Sequence, residues 1–404
     1  MTDLYNKKMS KPSQLKQWFF DAIREASASS HQSPKQPHLA ALTVVIPSYG
    51  RQDYLLRQVV YWSTTEVDVV IVDGSPTPLE PDVQVAIAVF PHIRYVHSRT
   101  PFSERMKLAG GMLKTEYAVM SGDDEFLLKS GLSKALRRLE SDASLVACMG
   151  QSLAFHTNRE TLAITYGSGY PHWRYERMES TAMARLNAAM SNYVAATCYA
   201  VLRSEVWRRS WGNHGPWSSP YTGEIQQVLA TYISGKVTAI DEVYWMRSGE
   251  NAPVNTAQYN RGLSFEDWWH GAQQQQERDL FVSMLSAELT NAEGTPPIEA
   301  AKIVKNAVGL YIKNTNEIRP TGLRSTFFGF VNQVLPSTLR GRLKSAVFGL
   351  RSKARDGSFG TLANMQIAPS PSVPANLNDA LFRELSQMES LIVHFHTARK
   401  ADSP

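Results

Sequence analysis

The sequence predicts an α/β protein built on a largely parallel sheet, and two observations lead to this fold class. From Ala41 onward, short β-branched and aromatic runs alternate with stretches long enough to form helices. The runs are LTVVI (42–46), VDVVIV (67–72), IRYVH (93–97) and YAVM (117–120). Strands this apolar are typical of a parallel sheet that is covered on both faces. Ligands bind beyond the carboxyl ends of such strands, so the residues after each run are the candidates for chemistry.

Length and local amino-acid composition divide the chain into three predicted regions. The 404 residues are 43% hydrophobic, which is enough to bury a large core. We expect an N-terminal helix and linker over 1–40, a catalytic domain over 41–255 and a helical C-terminal region over 256–404. The N-terminal helix corresponds to an amphipathic segment at 14–26, which a Ser-, Pro- and Gln-rich stretch follows.

Composition argues against several classes of protein. Lys+Arg 42 against Asp+Glu 37 gives a formal net charge of +5, a modest excess. Cys148 and Cys198 have no CxxC partner and no His-rich neighbourhood, so neither a disulfide framework nor a zinc site is indicated. No apolar run approaches the ~18 residues that span a bilayer, and the first residues lack the apolar core of a signal peptide. We therefore expect a cytoplasmic protein.

Three acids stand side by side directly after the fourth run, at Asp123, Asp124 and Glu125. Adjacent like charges repel each other unless a cation or solvent lies among them. Oxygen ligands at a strand end, with no His or Cys nearby, suit Mg²⁺ or Mn²⁺, which bridge one or two carboxylates to substrate phosphates. The triplet thus predicts a metal-bound nucleotide diphosphate; a solvated turn is the alternative.

Three segments follow one another in this order: VVIPSYGR (44–51), VVIVDGSP (69–76) and FSERMKLAGGMLKTEYAVMSGDDEFL (102–127). Together they resemble the GT-A catalytic core of family 2-like glycosyltransferases, in particular a bacterial branch of polysaccharide transferases with a DDD-type acid cluster. The resemblance covers roughly residues 40–250. It implies a GT-A fold, a Rossmann-like α/β core, and transfer of sugar from a nucleotide donor, with a UDP-linked donor favoured. Ser121 stands where the family commonly has an Asp, and Glu125 replaces a third Asp.

The resemblance also implies roles for particular residues. The turn after the first strand and the Asp after the second hold the nucleotide, and the acid cluster binds ribose and the metal diphosphate. The expected metal is Mn²⁺ or Mg²⁺, held by Asp123, Asp124 and Glu125. The donor-binding candidates are Pro47, Ser48, Tyr49, Arg51, Asp73, Arg105, Asp123 and Arg247. Arg247 is included because a guanidinium matches phosphate oxygens bidentately.

Transfer with inversion needs a carboxylate that takes the proton of the acceptor hydroxyl. Glu224 follows an abrupt turn at 221–223, and the resemblance places an acid-containing helix start here. We predict Glu224 as the general base; the alternative is that it only complements the positive end of a helix that starts near it. Asp241, beside Glu242 at the end of a predicted strand VTAI (237–240), is the competing base.

Further candidates lie in aromatic-rich segments. His270, in DWWHG, is a candidate metal or phosphate ligand, although a histidine between tryptophans is more often packed. Sugars bind to aromatic faces and to hydrogen-bonding groups, so one aromatic segment could line an acceptor site or belong to the core. Its residues are Tyr170, His172, Trp173, Arg174 and Tyr175.

The C-terminal region contains two predicted helices and a basic segment between them. The helices are 298–318 and 377–400, and the apolar stripe of the second must pack on the core or on a second copy in a homodimer. Segment 319–355 mixes Arg and Lys with aromatic and aliphatic residues and contains no acid. This composition is typical of a segment in the headgroup region of an anionic membrane. Docking on the catalytic domain is the alternative, and nucleic-acid binding is disfavoured.

The sequence thus predicts a metal-dependent, inverting glycosyltransferase in bacterial surface polysaccharide synthesis, with a glycan or lipid-linked acceptor. A nucleotidyltransferase of related fold is one alternative. It usually has a Gly- and basic-rich loop after the first strand, whereas PSYGRQDYLL (47–56) supplies only Gly50 and Arg51. A non-catalytic, membrane-associated scaffold of GT-A type is the other, and Ser121 favours it.

Overall fold

The computed structural model describes residues 13–29, 37–170, 172–195, 197–251, 263–318, 358–363 and 379–402. The basic segment 319–355 lies outside these residues, so its association with a membrane stays a prediction. Among the described residues, there is no helix with the length and apolar character needed to span a bilayer.

A sheet of ten strands forms the centre of the described structure. One half is parallel, with the order β3-β2-β1-β4, and every strand of this half was predicted from its apolar run. Nearly all residues of β1, β2 and β4 are buried, which explains their uninterrupted apolar character. The bounds are β1 Leu42–Ser48, β2 Asp68–Asp73, β3 Ile93–His97 and β4 Tyr117–Met120.

The other half of the sheet is mixed. It contains β5 Phe126–Leu127, β6 Leu145–Thr157, β7 Ile164–Ser168, β8 Val201–Arg203, β9 Lys236–Ser248 and β10 Ser358–Gly360. Strand β8 is antiparallel to both β4 and β6, while β9 runs parallel to β6 and antiparallel to β5. The predicted end of a strand near Asp241 is wrong. Strand β9 continues to Ser248 because residues 243–246 are buried and pair with β6, a tertiary contact that local sequence does not reveal.

Helices cover the sheet. They are α1 Gln14–Ser29, α2 Gln52–Trp62, α3 Pro81–Ile87, α4 Phe102–Met112, α5 Lys129–Glu140, α6 Ala182–Ser191, α7 Ser204–Ser210, α8 Pro220–Ser234, α9 Phe265–His270, α10 Gln275–Glu293, α11 Pro297–Ile318 and α12 Asp379–Ala401. The predicted α/β class with a helical C-terminal region is confirmed. Helix α4 begins at Phe102, directly after Pro101, and Ser103 is buried inside its first turn.

The C-terminal helix α12 packs on α1 and α2. Its apolar stripe, which includes Leu385 and Ile392, is buried in the main core, so the chain's own core covers the stripe. Phe395 lies against Trp18, with ring centroids 5.8 Å apart. Beyond the helix, the carboxylate of Asp402 accepts hydrogen bonds from the first backbone N–H groups of α1. The two ends of the described chain therefore form one helical layer.

A buried ion pair connects this layer to the sheet. The Arg57 guanidinium donates to the Glu250 carboxylate at 2.8 Å, and both side chains are almost fully buried, at 0% and 1% exposure. His396, on α12, contacts the other carboxylate oxygen of Glu250 at 2.5 Å. Burial alone would raise the pKa of Glu250, but the charge of Arg57 and the contact with His396 outweigh it and hold the pKa at about 2.

This pair makes stability sensitive to acid. Because the pKa of Glu250 is lower in the folded protein than in the unfolded chain, its contribution is complete near neutral pH and is lost as the pH falls from about 4.5 towards 2. We expect the free energy of unfolding of the wild type to fall by about 2 kcal/mol more than that of Glu250→Gln between pH 6 and pH 3. Urea unfolding of both proteins at each pH measures this difference, and parallel pH curves would contradict it.

Candidate active site

A cleft of about 690 Å³ opens where β1 and β4 end. It brings together most of the predicted site residues, although they come from distant parts of the chain. These are Pro47, Ser48, Tyr49, Arg51, Arg105, Asp123, Asp124, Glu125, Glu224 and Arg247. Asp73 and Asp241 do not line the cleft.

The acid loop, residues 121–125, is held through its backbone by helix α2. Gln58 donates to the carbonyl oxygens of Asp123 at 3.2 Å and Glu125 at 2.6 Å. Arg57 donates to the carbonyl oxygen of Asp124 at 2.8 Å. Both donors are fully buried. Helix α2 therefore fixes the peptides of the loop on its buried side, while the acidic side chains face the cleft.

Two of the three carboxylates share one guanidinium. Arg51 lies 3.1 Å from an oxygen of Asp123 and 3.4 Å from an oxygen of Asp124. The Ser48 hydroxyl donates to the second oxygen of Asp123 at 2.7 Å, and the Asn251 amide donates to Asp124 at 2.8 Å. A cation of the protein itself therefore lies among the acids, which reduces the repulsion expected from the sequence.

Glu125 faces a different part of the wall. The indole N–H of Trp245 donates to its carboxylate at 3.1 Å. Trp245 in turn lies between two tyrosines in an aromatic stack: its ring is 4.3 Å from Tyr199 and 5.7 Å from Tyr170. The Arg247 guanidinium lies over the Tyr170 ring at 5.2 Å. A stacked aromatic surface and a cation thus flank the third acid.

The acid loop is strained because ionisation of its buried side chains is unfavourable, and the fold offsets this only in part. Burial and the neighbouring Asp124 raise the pKa of Asp123 to about 6, although Arg51 and Ser48 act against this shift. Burial and Asp124 also raise the pKa of Glu125 to about 8, against the hydrogen bond from Trp245. A bound cation would relieve this strain, since it favours the ionised forms.

The arrangement limits the kind of metal site that the loop can form. The described part of the chain contains no group of three or more His, Cys, Asp or Glu side chains that could hold a metal ion. Mg²⁺ and Mn²⁺ often use only one or two carboxylates and complete their shell with phosphate oxygens and water. Asp124 and Asp123, which both line the cleft, fit that arrangement, whereas a three-carboxylate cage does not fit.

The Asp73 carboxylate has a structural role in the fold. Its side chain is fully buried, and its oxygens accept hydrogen bonds from Ser75, Gln52 and Tyr95. These bonds stabilise the turn after β2. The donors come from α2, the turn itself and β3, so the sequence alone could not show that this carboxylate is already occupied.

Arg105 reaches the strand ends from helix α4. It donates to the carbonyl oxygens of Ser48 at 2.6 Å and Val72 at 3.2 Å, and it is 3% exposed. It also passes close over Gly74, where an added Cβ would lie 2.5 Å from the guanidinium carbon. A cation is thus fixed at the ends of β1 and β2, in the wall of the cleft.

The two candidate bases have different surroundings. Glu224 is half-buried in the cleft wall, one turn inside α8, which begins at Pro220 and not near Glu224 as predicted. The Tyr193 hydroxyl donates to Glu224 at 2.6 Å, and burial keeps the pKa of Tyr193 well above its ordinary value. Asp241 is an exposed residue in the middle of β9 that accepts a bond from Gln151.

Sequence reasoning missed an aromatic wall formed by Phe102, Trp211, His214 and Trp217, all of which line the cleft. Burial lowers the pKa of His214 to about 4, so its imidazole is neutral at physiological pH. Gln226 holds this loop, since its side chain accepts from Gly215 and Trp217 and donates to Asn213. The segment WGNHGPW (211–217) was a signal for such a wall, because it combines aromatic residues with turn formers.

The other predicted residues are placed differently. Tyr170 lines the cleft, whereas Tyr175 is buried and donates to a backbone carbonyl. Arg174 and His270 are exposed and do not line it. The side chains of His172 and Trp173 lie outside the described part of the structure.

Comparisons with known proteins give distant structural matches. No protein-family profile and no curated protein sequence matches the chain. A crystal structure of S. aureus TarS 1-349 is similar at a TM-score of 0.46 and 12% identity, covering 72% of this chain and 78% of that chain. TarS 1-349 in complex with UDP-GlcNAc is similar at a TM-score of 0.46 and 15% identity, with the same coverage of both chains. Its complex with UDP is similar at a TM-score of 0.43 and 12% identity, covering 89% of this chain and 91% of that chain. Because these scores lie below 0.5, the function is inferred from the cleft's own residues.

Glycine 223 allows the aromatic wall to approach α8. An added Cβ would lie 1.7 Å from Nε2 of His214, so we expect Gly223→Ala to displace the imidazole and to destabilise the protein by about 1–3 kcal/mol. Gly309→Ala in α11 is the matched control, because nothing lies within 4 Å of its added Cβ. It should stabilise the protein by about 0.5–1 kcal/mol. Urea unfolding measures both changes, and equal effects would contradict the predicted contact.

Proposed function

We propose that this chain is a metal-dependent glycosyltransferase of GT-A type that transfers a sugar from a nucleotide-sugar donor. One observation carries the proposal. A single cleft at the ends of parallel strands contains a buried acid loop, the guanidinium groups of Arg51 and Arg247, and the carboxylate of Glu224. Such a cleft offers a place for a diphosphate, a cation and a base, the three requirements of this reaction.

The donor would bind over the acid loop. Tyr49 is 37% exposed in the cleft and offers a face for the base, while Arg51 and Arg247 lie within the same wall as phosphate partners. Asp124, with Asp123, would hold Mn²⁺ or Mg²⁺. When bound, the metal offsets the charge that develops on the departing diphosphate.

Glu224 is proposed as the base that takes the proton of the acceptor hydroxyl, giving inversion at the anomeric carbon. The Tyr193 hydroxyl orients its carboxylate from one side. Neutral aromatic residues near it, including Trp217 and His214, suit the ring of an acceptor sugar. The acceptor is proposed to be a glycan or a lipid-linked glycan of bacterial surface polysaccharide synthesis, reached at the membrane through the basic segment 319–355.

Donor binding can be tested without knowing the acceptor. We expect one nucleoside diphosphate, UDP in the first instance, to raise the melting temperature of the wild type only when Mn²⁺ is present. Asp124→Asn should abolish this shift, because it removes the proposed metal carboxylate. Asp279→Asn, in the exposed part of α10, is the matched control and should keep it.

The panel should include the diphosphates of all common nucleosides, each with and without Mn²⁺. A wild type that is stabilised by none of them would overturn the proposed donor site. In that case the scaffold alternative becomes the better account of the fold.

The base can be tested by donor-dependent release of nucleoside diphosphate. We expect Glu224→Gln to retain Mn²⁺-dependent donor binding but to lose at least about 100-fold in turnover, as expected when a general base is removed. Asp241→Asn should retain wild-type turnover because this residue lies outside the cleft wall. A fully active Glu224→Gln would exclude Glu224 as the base.

A further inference from the structure

Two sets of hydrogen bonds link the C-terminal helix α12 indirectly to the acid loop, although the helix lies at the far end of the chain. The first is at the start of α5, shortly after the loop. The Glu384 carboxylate accepts hydrogen bonds from the Lys129 backbone N–H and from both the backbone N–H and the hydroxyl of Ser130. An acidic side chain at this point satisfies unpaired amides at the helix N-terminus. Helix α12 therefore fixes the chain on one side of the loop.

The second connection is a relay of buried polar groups. His396 contacts one oxygen of Glu250 at 2.5 Å, and Arg57 donates to the other at 2.8 Å. Through its second terminal nitrogen, Arg57 donates to the carbonyl oxygen of Asp124 at 2.8 Å. The His396, Glu250 and Arg57 side chains are 6%, 1% and 0% exposed, so water does not replace these bonds.

The guanidinium at the centre of the relay has little freedom. Its carbon lies 4.7 Å from the Tyr54 ring centroid, 4.8 Å from Phe126 and 5.0 Å from Phe395. Phe395 and His396 are neighbours on α12, so the same turn of this helix supplies both one of these three rings and the imidazole of the relay. The position of Arg57 therefore depends on the docking of α12.

The side chain of Asp124 depends on the same segment. Asn251, the residue after Glu250, donates to its carboxylate at 2.8 Å. Consequently Glu250 determines where two partners of Asp124 lie: Arg57 at its peptide and Asn251 at its carboxylate.

We propose that His396 is a positioning residue: through Glu250 and Arg57 it holds the peptide of Asp124 in the geometry that binds the metal diphosphate. The C-terminal helix is then a part of the donor site that never contacts the donor. The binding consequence rests on the proposed function, whereas the ordering of the acid loop does not.

Three variants of the full-length chain separate positioning from general stability. His396→Leu fills the buried space without a hydrogen-bond donor. His396→Gln can place an amide N–H near the position of Nε2. His394→Leu is the matched control, because His394 is exposed on the same helix, two residues away.

The first measurement is hydrogen exchange of the peptide 121–128 without any ligand. In His396→Leu, we expect exchange in this peptide to be faster by about tenfold, the effect of losing a hydrogen bond to a charged group. His396→Gln should restore slow exchange, and His394→Leu should match the wild type. Unchanged exchange in His396→Leu, with the variant folded, would overturn the proposal regardless of what the cleft binds.

The second measurement is the affinity for UDP in the presence of Mn²⁺, by calorimetry. We expect His396→Leu to bind about tenfold more weakly, with His396→Gln and His394→Leu within about twofold of the wild type. If the wild type itself does not bind UDP with Mn²⁺ but the exchange result holds, only the proposed donor fails and the positioning role stands.

If His396→Leu does not fold, His396→Asn replaces it. The Asn side chain is too short to place its amide at the Nε2 position. We therefore expect exchange in the peptide 121–128 to be fast in His396→Asn and slow in His396→Gln. Equal loop exchange in the Asn and Gln variants would then overturn the proposal.

Discussion

The burial of three adjacent acids, Asp123, Asp124 and Glu125, is the constraint on which the rest of the structure depends. All three residues are buried, and the pKa values of Asp123 and Glu125 are raised to about 6 and about 8. Placing such groups side by side costs free energy that a solvated turn would not incur. The fold compensates with the Arg51 guanidinium and with hydrogen bonds to each carboxylate. A strained polar cluster in a cleft is a frequent property of functional sites.

This constraint accounts for the packing beneath the loop. A buried Arg57 is favourable only with a buried partner, because an unpaired charge in the interior is costly. Glu250 supplies that partner, and its own second oxygen is bonded to His396. The loop, the segment after β9 and the C-terminal helix are therefore connected by one set of polar bonds. Because each bond satisfies a buried group, removing one member leaves another unpaired.

The sequence predicted those features that depend on local pattern. The four parallel strands and the acid loop beyond β4 follow from apolar runs and from the position of Asp123 to Glu125 after the last of them. Features that depend on tertiary partners could not be predicted from the sequence. The occupation of Asp73 requires Tyr95 on a neighbouring strand, and the continuation of β9 beyond Asp241 requires pairing with β6. Likewise, the stripe of α12 was visible as apolar spacing, but its polar contacts through Glu384 and His396 were not.

The turn after β1 favours the proposed glycosyl transfer over the nucleotidyltransferase alternative. A nucleotidyltransferase needs backbone amides that are available to cradle a triphosphate. In this turn, the Gly50 amide donates to the Ser75 hydroxyl at 2.9 Å. The guanidinium of the next residue, Arg51, forms ion pairs with Asp123 and Asp124. The amide is thus used to bind the turn of β2, and the cation is used to balance the acid loop. A donor entering this cleft would therefore meet side-chain cations and the acid loop, surroundings that suit the diphosphate of the proposed donor.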